Sequence, residues 1–297
     1  RRRARAGSAW RQTGARISYP INFEEPGGRS SRGLGMRNAR KRGRAYDTFL
    51  APSTDQSEWL VGPTESFHIV NIVCERLNLA KDAKILIPGV GLSELPRSLF
   101  DAGFTNLTLL DVEPGSITHQ QMMFDDSDPK PSILQVDLLG ENATEVVNGM
   151  YEMVLDKSMI DVFLRQGSWQ KIRSFYEAKL QPDTGVLVCF SMFHQKWKTA
   201  DVLPSTGWIT MYASIRQTRH SRTRPSVVRS VEDIAIYVAT RKDTVQEDDG
   251  IAARIIALED AQLPDAIDAQ PTLSINFRNF AQIGMGDFPA NEASNAP

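Results

Sequence analysis

The stretch D-A-K-I-L-I-P-G-V-G-L-S-E-L-P-R-S-L-F-D-A-G-F-T-N-L-T-L-L-D, residues 82–111, decides the fold of this chain. Its first apolar run predicts a strand at Lys84–Ile87, and the second predicts a strand at Leu107–Leu110. Between them, two glycines form a turn that opens a helix at Leu92–Ala102. A strand, a glycine-rich turn, a helix and a second strand are typical of a unit that binds a nucleoside-containing cofactor.

Alternating strands and helices continue beyond this unit, so the sequence predicts an α/β fold with a doubly wound, mostly parallel sheet. Gly185–Ser191 is almost wholly apolar, as expected of a central parallel strand. The last two strands, Trp208–Ile215 and Asp233–Thr240, form a final pair. Helices are expected at Pro63–Leu77, near Gly115–Phe124 and in the segments up to Leu180; the remaining predicted strands are Ile133–Val136 and Tyr151–Leu155.

The net charge of −2 hides three segments of different charge. Residues 1–46 carry thirteen Arg and Lys against two acids and lack apolar periodicity, so we expect an extended basic arm. Residues 47–241 carry a net charge of −6 and form the expected cofactor-binding domain. Residues 242–297 carry −7 and form an acidic C-terminal extension, whose apolar residues Ile275, Phe277 and Phe280 suggest docking on the body or on a partner.

The basic arm has two interpretations. Its composition matches that of an organellar transit peptide, which predicts a mitochondrial protein, with a cytoplasmic one as the alternative. Its charge also fits contact with RNA or a ribonucleoprotein, and an Arg-rich link between the last two strands fits the same role. The candidate RNA-binding residues are Arg1, Arg2, Arg3, Arg5, Arg40, Lys41, Arg42, Arg44, Arg216, Arg219, Arg222 and Arg224.

Acidic residues follow three successive predicted strands. Asp111, Asp137 and Asp156 end the second, third and fourth strands. These positions line the crevice where doubly wound sheets bind ligands, and Asp111 could accept both hydroxyl groups of a ribose. A dinucleotide fingerprint requires a third glycine. Glu94 stands there instead, and its carboxylate would repel pyrophosphate but tolerate the ammonium group of S-adenosylmethionine (SAM).

These motifs resemble those of the class I, seven-strand SAM-dependent methyltransferases. The residues that carry the resemblance are I-L-I-P-G-V-G-L-S-E-L, then L-L-D-V, Q-V-D-L and Y-E-M-V-L-D-K-S-M-I-D-V. They are most similar to the group that contains the translation elongation factor lysine methyltransferases. That group usually has L-V-x-G-C-G-N-S-E-L and a D-K-G-x-x-D block, so Pro88, Leu92 and Ser158 depart from its pattern.

The resemblance implies roles for individual residues. Gly89, Gly91 and Glu94 would lie beside the methionine part of SAM, and Asp111 with Val112 beside the ribose. Asp137 and Leu138 would hold the adenine. Asp156 and Lys157 would stand near the transferred methyl group as the catalytic residues.

Two functional hypotheses follow. The first is a SAM-dependent methyltransferase that acts on protein lysine, as the resemblance implies. The second is a methyltransferase-fold subunit or assembly factor of a ribonucleoprotein such as a mitochondrial ribosome, with weak or no catalysis.

The D-K-S-M block argues against amino-methylation of bases, which uses an Asn/Asp-Pro-Pro-aromatic motif. Cys74 and Cys189 lack the context of a nucleophile, no His/Cys cluster suggests a metal, and no apolar run of about 18–20 residues predicts a membrane span.

Overall fold

The structure is a computed structural model that describes residues 60–182, 184–220, 228–242, 250–261, 263, 266–270 and 273–282. Side chains are described for residues 60–182, 184–218, 233–242, 250–261 and 263. The whole basic arm, residues 1–46, therefore lies outside the described residues, with all of its candidate RNA contacts. How the chain divides into domains stays a prediction.

The helices and strands follow the predicted alternating order. In chain order they are α1 (Pro63–Arg76), β1 (Ile85–Pro88), α2 (Leu95–Asp101), β2 (Leu107–Asp111), α3 (Pro114–Met123), β3 (Ser132–Gln135), α4 (Ala143–Val146), β4 (Met153–Lys157), α5 (Met159–Gln166), α6 (Trp169–Lys179), β5 (Val186–Ser191), α7 (His194–Ala200), β6 (Trp208–His220), β7 (Val228–Arg241), α8 (Ile251–Ile256), β8 (Ala266–Gln270) and β9 (Leu273–Gln282).

The strands form one sheet in the order β3-β2-β1-β4-β5-β7-β6-β9-β8. The first five are parallel, and β7 joins β5 in the antiparallel direction. The predicted doubly wound, mostly parallel seven-stranded sheet is therefore confirmed in β1–β7.

Helices cover both faces of the sheet because alternate strand residues point in opposite directions. On one face, Ile85, Leu155 and Val188 pack in a cluster that also contains residues of α1, α2 and α8. On the other face, Leu86, Val154 and Leu187 pack with residues of α5, α6 and α7. Burial on both faces is the physical reason that β1 and β5 are almost continuous apolar runs.

The C-terminal extension adds two strands that were not predicted. The backbone of β9 pairs with β6 over a register that joins Met211 to Gln282 and Arg219 to Leu273, and β8 pairs with β9. The segment therefore joins the sheet of the body. A local signal was present in β9, because Leu273–Arg278 alternates apolar and polar residues, whereas the short β8 has no such pattern.

The strands β6 and β7 are longer than predicted at the end where they meet. The carboxyl end of β5, Ser191, pairs with Ala235, whereas β7 begins seven residues earlier, at Val228. The described ends of β6 and β7, at His220 and Val228, therefore extend past the edge where the parallel strands end. Antiparallel pairing of β6 and β7 holds both strands beyond that edge.

Among the residues that the structure describes, no helix is both long and apolar enough to span a bilayer. The two cysteines are buried free thiols. Burial raises the pKa of Cys74 to about 12 and raises that of Cys189 well above its ordinary value. Neither thiol is poised to form the thiolate that nucleophilic chemistry requires.

Candidate cofactor-binding site

The candidate site lies where the winding of the sheet changes direction. Strand β1 pairs with β2 on one side and with β4 on the other, all parallel, so their carboxyl ends lie at the same edge. The chain leaves β1 toward β2 and β3, and later returns to β4 and β5 on the opposite side. The loops after β1 and β4 therefore start at one edge and lead to opposite sides of β1, and such a point is the usual ligand site of doubly wound sheets.

Gly89 and Gly91 shape the loop that follows β1. Both have left-handed backbones, with φ of 62° and 56°. A Cβ atom at Gly89 would lie 2.5 Å from the sulfur of Met159 in α5, whereas a Cβ at Gly91 would meet no atom within 4 Å. Gly89 thus lets this loop pack on α5, and Gly91 leaves open space where a ligand can approach the backbone.

Asp111 anchors this glycine turn to the end of β2. Its two carboxylate oxygens accept the backbone N–H groups of Gly91, at 2.7 Å, and Glu113, at 2.9 Å. The side chain is mostly buried, and burial raises its pKa while the N–H donors oppose that rise. Each carboxylate oxygen can accept a second hydrogen bond, so Asp111 retains capacity for two hydroxyl groups of a ligand.

Gln120 also holds the glycine turn, and sequence reasoning missed it. It is fully buried in α3, and its Nε2 donates to the carbonyl oxygens of Gly91 and Ser93, both at 3.0 Å. A signal was present: Gln120 lies three residues after Ile117 and four before Phe124, which are both buried. A buried polar residue indicates a specific polar contact, but the apolar residues of α3 do not form one face, since Met122 is exposed, so this signal was weak.

The other residues predicted for the nucleoside lie at the ends of β2 and β3. The carbonyl of Val112 accepts the side-chain amide of Gln135 at 3.1 Å. Asp137 is exposed and accepts the N–H of Leu139 at 2.9 Å, while Leu138 is buried. An exposed carboxylate beside a buried apolar residue fits an adenine ring, and this contact stays a prediction.

Glu94 lies just outside the helix in which the sequence placed it. Helix α2 begins at Leu95, and Glu94 precedes it as an exposed residue whose carbonyl accepts the N–H of Ser98. Its negative charge still stands at the N-terminus of α2, where a phosphate group would otherwise be stabilised.

Asp156, a predicted catalytic residue, is buried beneath the loop after β4, with 1% of its surface exposed. Its carboxylate accepts the N–H groups of Met159, at 2.5 Å, and Ile160, at 3.0 Å, and the hydroxyl of Tyr176, at 2.9 Å. Burial raises its pKa to about 7 although these donors lower it. In this conformation Asp156 fixes the start of α5, and a direct part in catalysis, like that of half-buried Lys157, stays a prediction.

Asp161 is a buried residue of α5 to which sequence reasoning assigned no role beyond the quoted block. Its buried carboxylate accepts four hydrogen bonds: from the hydroxyls of Ser158 and Ser191, the N–H of Met192 and the indole N–H of Trp197. Four donors satisfy an ionised carboxylate, whereas burial raises its pKa. Asp161 thereby joins the loops after β4 and β5.

Ser158 departs from the family pattern at a position with a left-handed backbone, φ 76°. Glycine adopts this conformation at no steric cost, which explains its usual presence there. The serine hydroxyl donates to Asp161 at 2.9 Å, so the added side chain points into the protein and is buried.

The Arg-rich link can be assessed only in part. Arg216 donates two hydrogen bonds to Asp233 of the neighbouring strand, at 2.8 and 3.2 Å, so an acid faces it across the sheet. Arg219 lies in β6, but its side chain is outside the described part, as are Arg222 and Arg224. Within the described ranges no group of three or more His, Cys, Asp or Glu residues could hold a metal ion.

Comparisons with known proteins give one sequence relative and a set of similar folds. No protein-family model matches the chain. A stretch of 78 residues is 31% identical to the eEF1A lysine and N-terminal methyltransferase of Danio rerio, and covers 26% of this chain but 11% of that protein.

The solved structures resemble the chain at the level of fold. The N-methyltransferase NodS of Bradyrhizobium japonicum, in complex with S-adenosyl-l-homocysteine, has a TM-score of 0.46 at 14% identity and covers 67% of this chain and 96% of its own. An S-adenosylmethionine-dependent methyltransferase of Clostridium acetobutylicum has a TM-score of 0.40 at 13% identity, covering 82% and 98%. In the order of its motifs and in its sheet, this chain is similar to the class I SAM-dependent methyltransferases.

Proposed function

We propose that this protein is a SAM-dependent methyltransferase that modifies an amine, with protein lysine as the acceptor. The observation that carries the proposal is the link between Asp111 and Gly91 at the edge of β1 and β2. It places a carboxylate with spare acceptor capacity beside open space at a glycine backbone. Such a pair suits the ribose and the amino-acid part of a nucleoside cofactor without phosphate groups.

The chain's own residues fit SAM better than a dinucleotide. Asp111 would accept ribose hydroxyls, Leu138 would contact the adenine, and Gly91 would admit the methionine part. Glu94 would disfavour a pyrophosphate at the start of α2. When bound, SAM supplies an electrophilic methyl group on a sulfonium centre.

Catalysis of methyl transfer depends mainly on positioning, because a neutral nucleophile must line up with the methyl group. The loops after β4 and β5 border this position, and Asp156 and Asp161 hold both loops in place. The two described cysteines have raised pKa values, which disfavours a covalent cysteine mechanism. A lysine side chain is protonated near neutral pH, so it must release one proton to water before its neutral amine attacks the methyl group.

Lysine is proposed because of the 78-residue similarity to a protein named as an eEF1A lysine and N-terminal methyltransferase. The test is transfer of tritiated methyl groups from SAM to purified eEF1A, followed by amino-acid analysis of the hydrolysed product. We expect label in methylated lysine. The control is eEF1A whose lysines have been acetylated, which removes the nucleophilic amines and should leave no label in lysine. Label at the N-terminus alone, or in added RNA but not in protein, would contradict the lysine assignment.

A further inference from the structure

We propose that Gln120 is a positioning residue that sets the affinity of the site for its cofactor by fixing the carbonyl side of the glycine turn. The inference rests on the proposed function for the identity of the cofactor. It concerns a residue of α3 that lies outside the glycine turn and the strand-end acids.

Within the described part of the chain, both side-chain hydrogen bonds of Gln120 go to the glycine turn. Both hydrogens of its side-chain amide are used, because Nε2 donates to Gly91 and Ser93 at 3.0 Å each. Gly91 also donates its N–H to Asp111 at 2.7 Å. The backbone of Gly91 is therefore held at its N–H group by the end of β2 and at its carbonyl by α3.

This amide is not explained by the stability of the helix. Gln120 is fully buried beside Ile117, and its Oε1 is a buried acceptor with no hydrogen-bond partner among the described residues. An unsatisfied buried carbonyl destabilises the native state. Methionine, of similar length and apolar, would fill the same space without that penalty. A buried amide that leaves its own oxygen unpaired while it holds two carbonyls of the turn is expected to serve the site.

The consequence for binding is a preorganised turn. Without the amide, the Gly91–Ser93 segment would sample other conformations, since glycine at φ 56° has access to much of backbone space. Cofactor binding would then have to order the segment, and the free-energy cost of this ordering would lower the affinity.

The experiment compares Gln120→Met with Gln121→Met in the full chain. Gln121 is the next residue of α3 and is exposed, so the same substitution there is a matched control. Three quantities are measured: the melting temperature, the hydrogen–deuterium exchange of the Gly91 and Ser93 amides without ligand, and the Kd for SAM by calorimetry.

We expect Gln120→Met to melt close to the wild-type temperature, because removal of the unpaired Oε1 offsets the loss of the donor to Gly91 and Ser93. It should exchange faster in the turn and bind SAM about tenfold more weakly. Gln121→Met should match the wild type in all three. Unchanged exchange and Kd would overturn the proposal, and so would a weaker Kd that is matched by an equal loss of stability.

The experiment remains decisive if the variant does not fold or if the wild-type chain does not bind SAM. If Gln120→Met does not fold, Gln120→Asn keeps the amide but withdraws it from the carbonyls by one methylene group, and it should show the same faster exchange and weaker binding. If the wild-type chain does not bind SAM, the proposed function fails, whereas the exchange measurement still decides whether Gln120 holds the turn.

Discussion

Among single residues, Ser158 combines an unfavourable left-handed backbone with a favourable side-chain hydrogen bond. A residue with a Cβ is strained by roughly 1–2 kcal/mol in the left-handed region, which Ser158 occupies at φ 76°. Its hydroxyl donates to the buried Asp161 at 2.9 Å, and a hydrogen bond to a charged group contributes roughly 1.5–3 kcal/mol. The hydrogen bond outweighs the strain.

We therefore expect Ser158→Gly to lower the free energy of unfolding by about 1 kcal/mol, measured by urea denaturation. Asn78→Gly is the matched control, because Asn78 is also left-handed, at φ 53°, but exposed. That substitution should leave stability unchanged or slightly raised. A gain of stability in Ser158→Gly would show that the contact with Asp161 is weak.

The buried carboxylate of Asp156 predicts that the stability of the protein depends on pH. Burial raises its pKa from 3.8 to about 7. The folded state therefore holds this proton more tightly than the unfolded chain. The contribution of Asp156 to stability is greatest below about pH 4 and is lost as the pH rises toward 7.

Tyr176→Phe tests this assignment. The Tyr176 hydroxyl donates to Asp156 at 2.9 Å and favours the ionised carboxylate. Its removal should destabilise the protein by about 1 kcal/mol at pH 5 and by about 2 kcal/mol at pH 8, because the hydrogen bond is stronger to the charged form. Tyr151→Phe removes a hydroxyl that donates to a backbone carbonyl, so its cost should not vary between these pH values.

At the scale of elements, local signals and long-range contacts account for what the sequence could and could not predict. The glycine turn and Asp111 were recognised because they lie within one βαβ unit, and the structure joins them directly. The orientation of Asp156 was not recognised because it depends on Tyr176, twenty residues later. Gln120 depends in the same way on Gly91, 29 residues earlier.

The strands β8 and β9 were missed for a related reason. The pairing of β9 with β6 joins residues far apart in sequence, such as Arg219 and Leu273, and no local pattern specifies it. This pairing also covers the backbone edge of β6 from Met211 to Arg219. A long exposed edge strand is prone to association with other chains.

Deletion of residues 264–297 should expose that edge. We expect the shortened chain to self-associate and to melt several degrees lower, as measured by light scattering and calorimetry. Deletion of residues 283–297 alone is the control, since it keeps both strands. A shortened chain that stays monomeric with an unchanged melting temperature would show that β8 and β9 do not stabilise the sheet.

At the scale of the whole molecule, the separation of charge suggests contact with RNA, which we retain as a proposal. A basic arm that meets phosphates releases counterions, so affinity falls linearly with salt on logarithmic axes. The plot of log affinity against log salt concentration should become shallower by about 0.7 for each single-strand phosphate contact removed. The variant replaces four residues by alanine: Arg40, Lys41, Arg42 and Arg44.

The control removes the same charge from exposed positions of the body: Lys84, Lys130, Lys171 and Lys242. Fluorescence anisotropy with a labelled single-stranded RNA at several salt concentrations gives both slopes. Equal slopes for the two variants would contradict a specific role of the arm.

The central claim for the molecule is that the Gly91–Asp111 link forms a SAM site, and calorimetric titration with SAM tests it most directly. The wild-type chain should bind one SAM per molecule. Asp111→Ala should weaken binding about tenfold to hundredfold, because it removes both the anchor of Gly91 and the acceptor for the ribose. Asp126→Ala, at an exposed acid, should bind as the wild type does. No binding at millimolar SAM, or equal affinity of Asp111→Ala and the wild type, would contradict the claim.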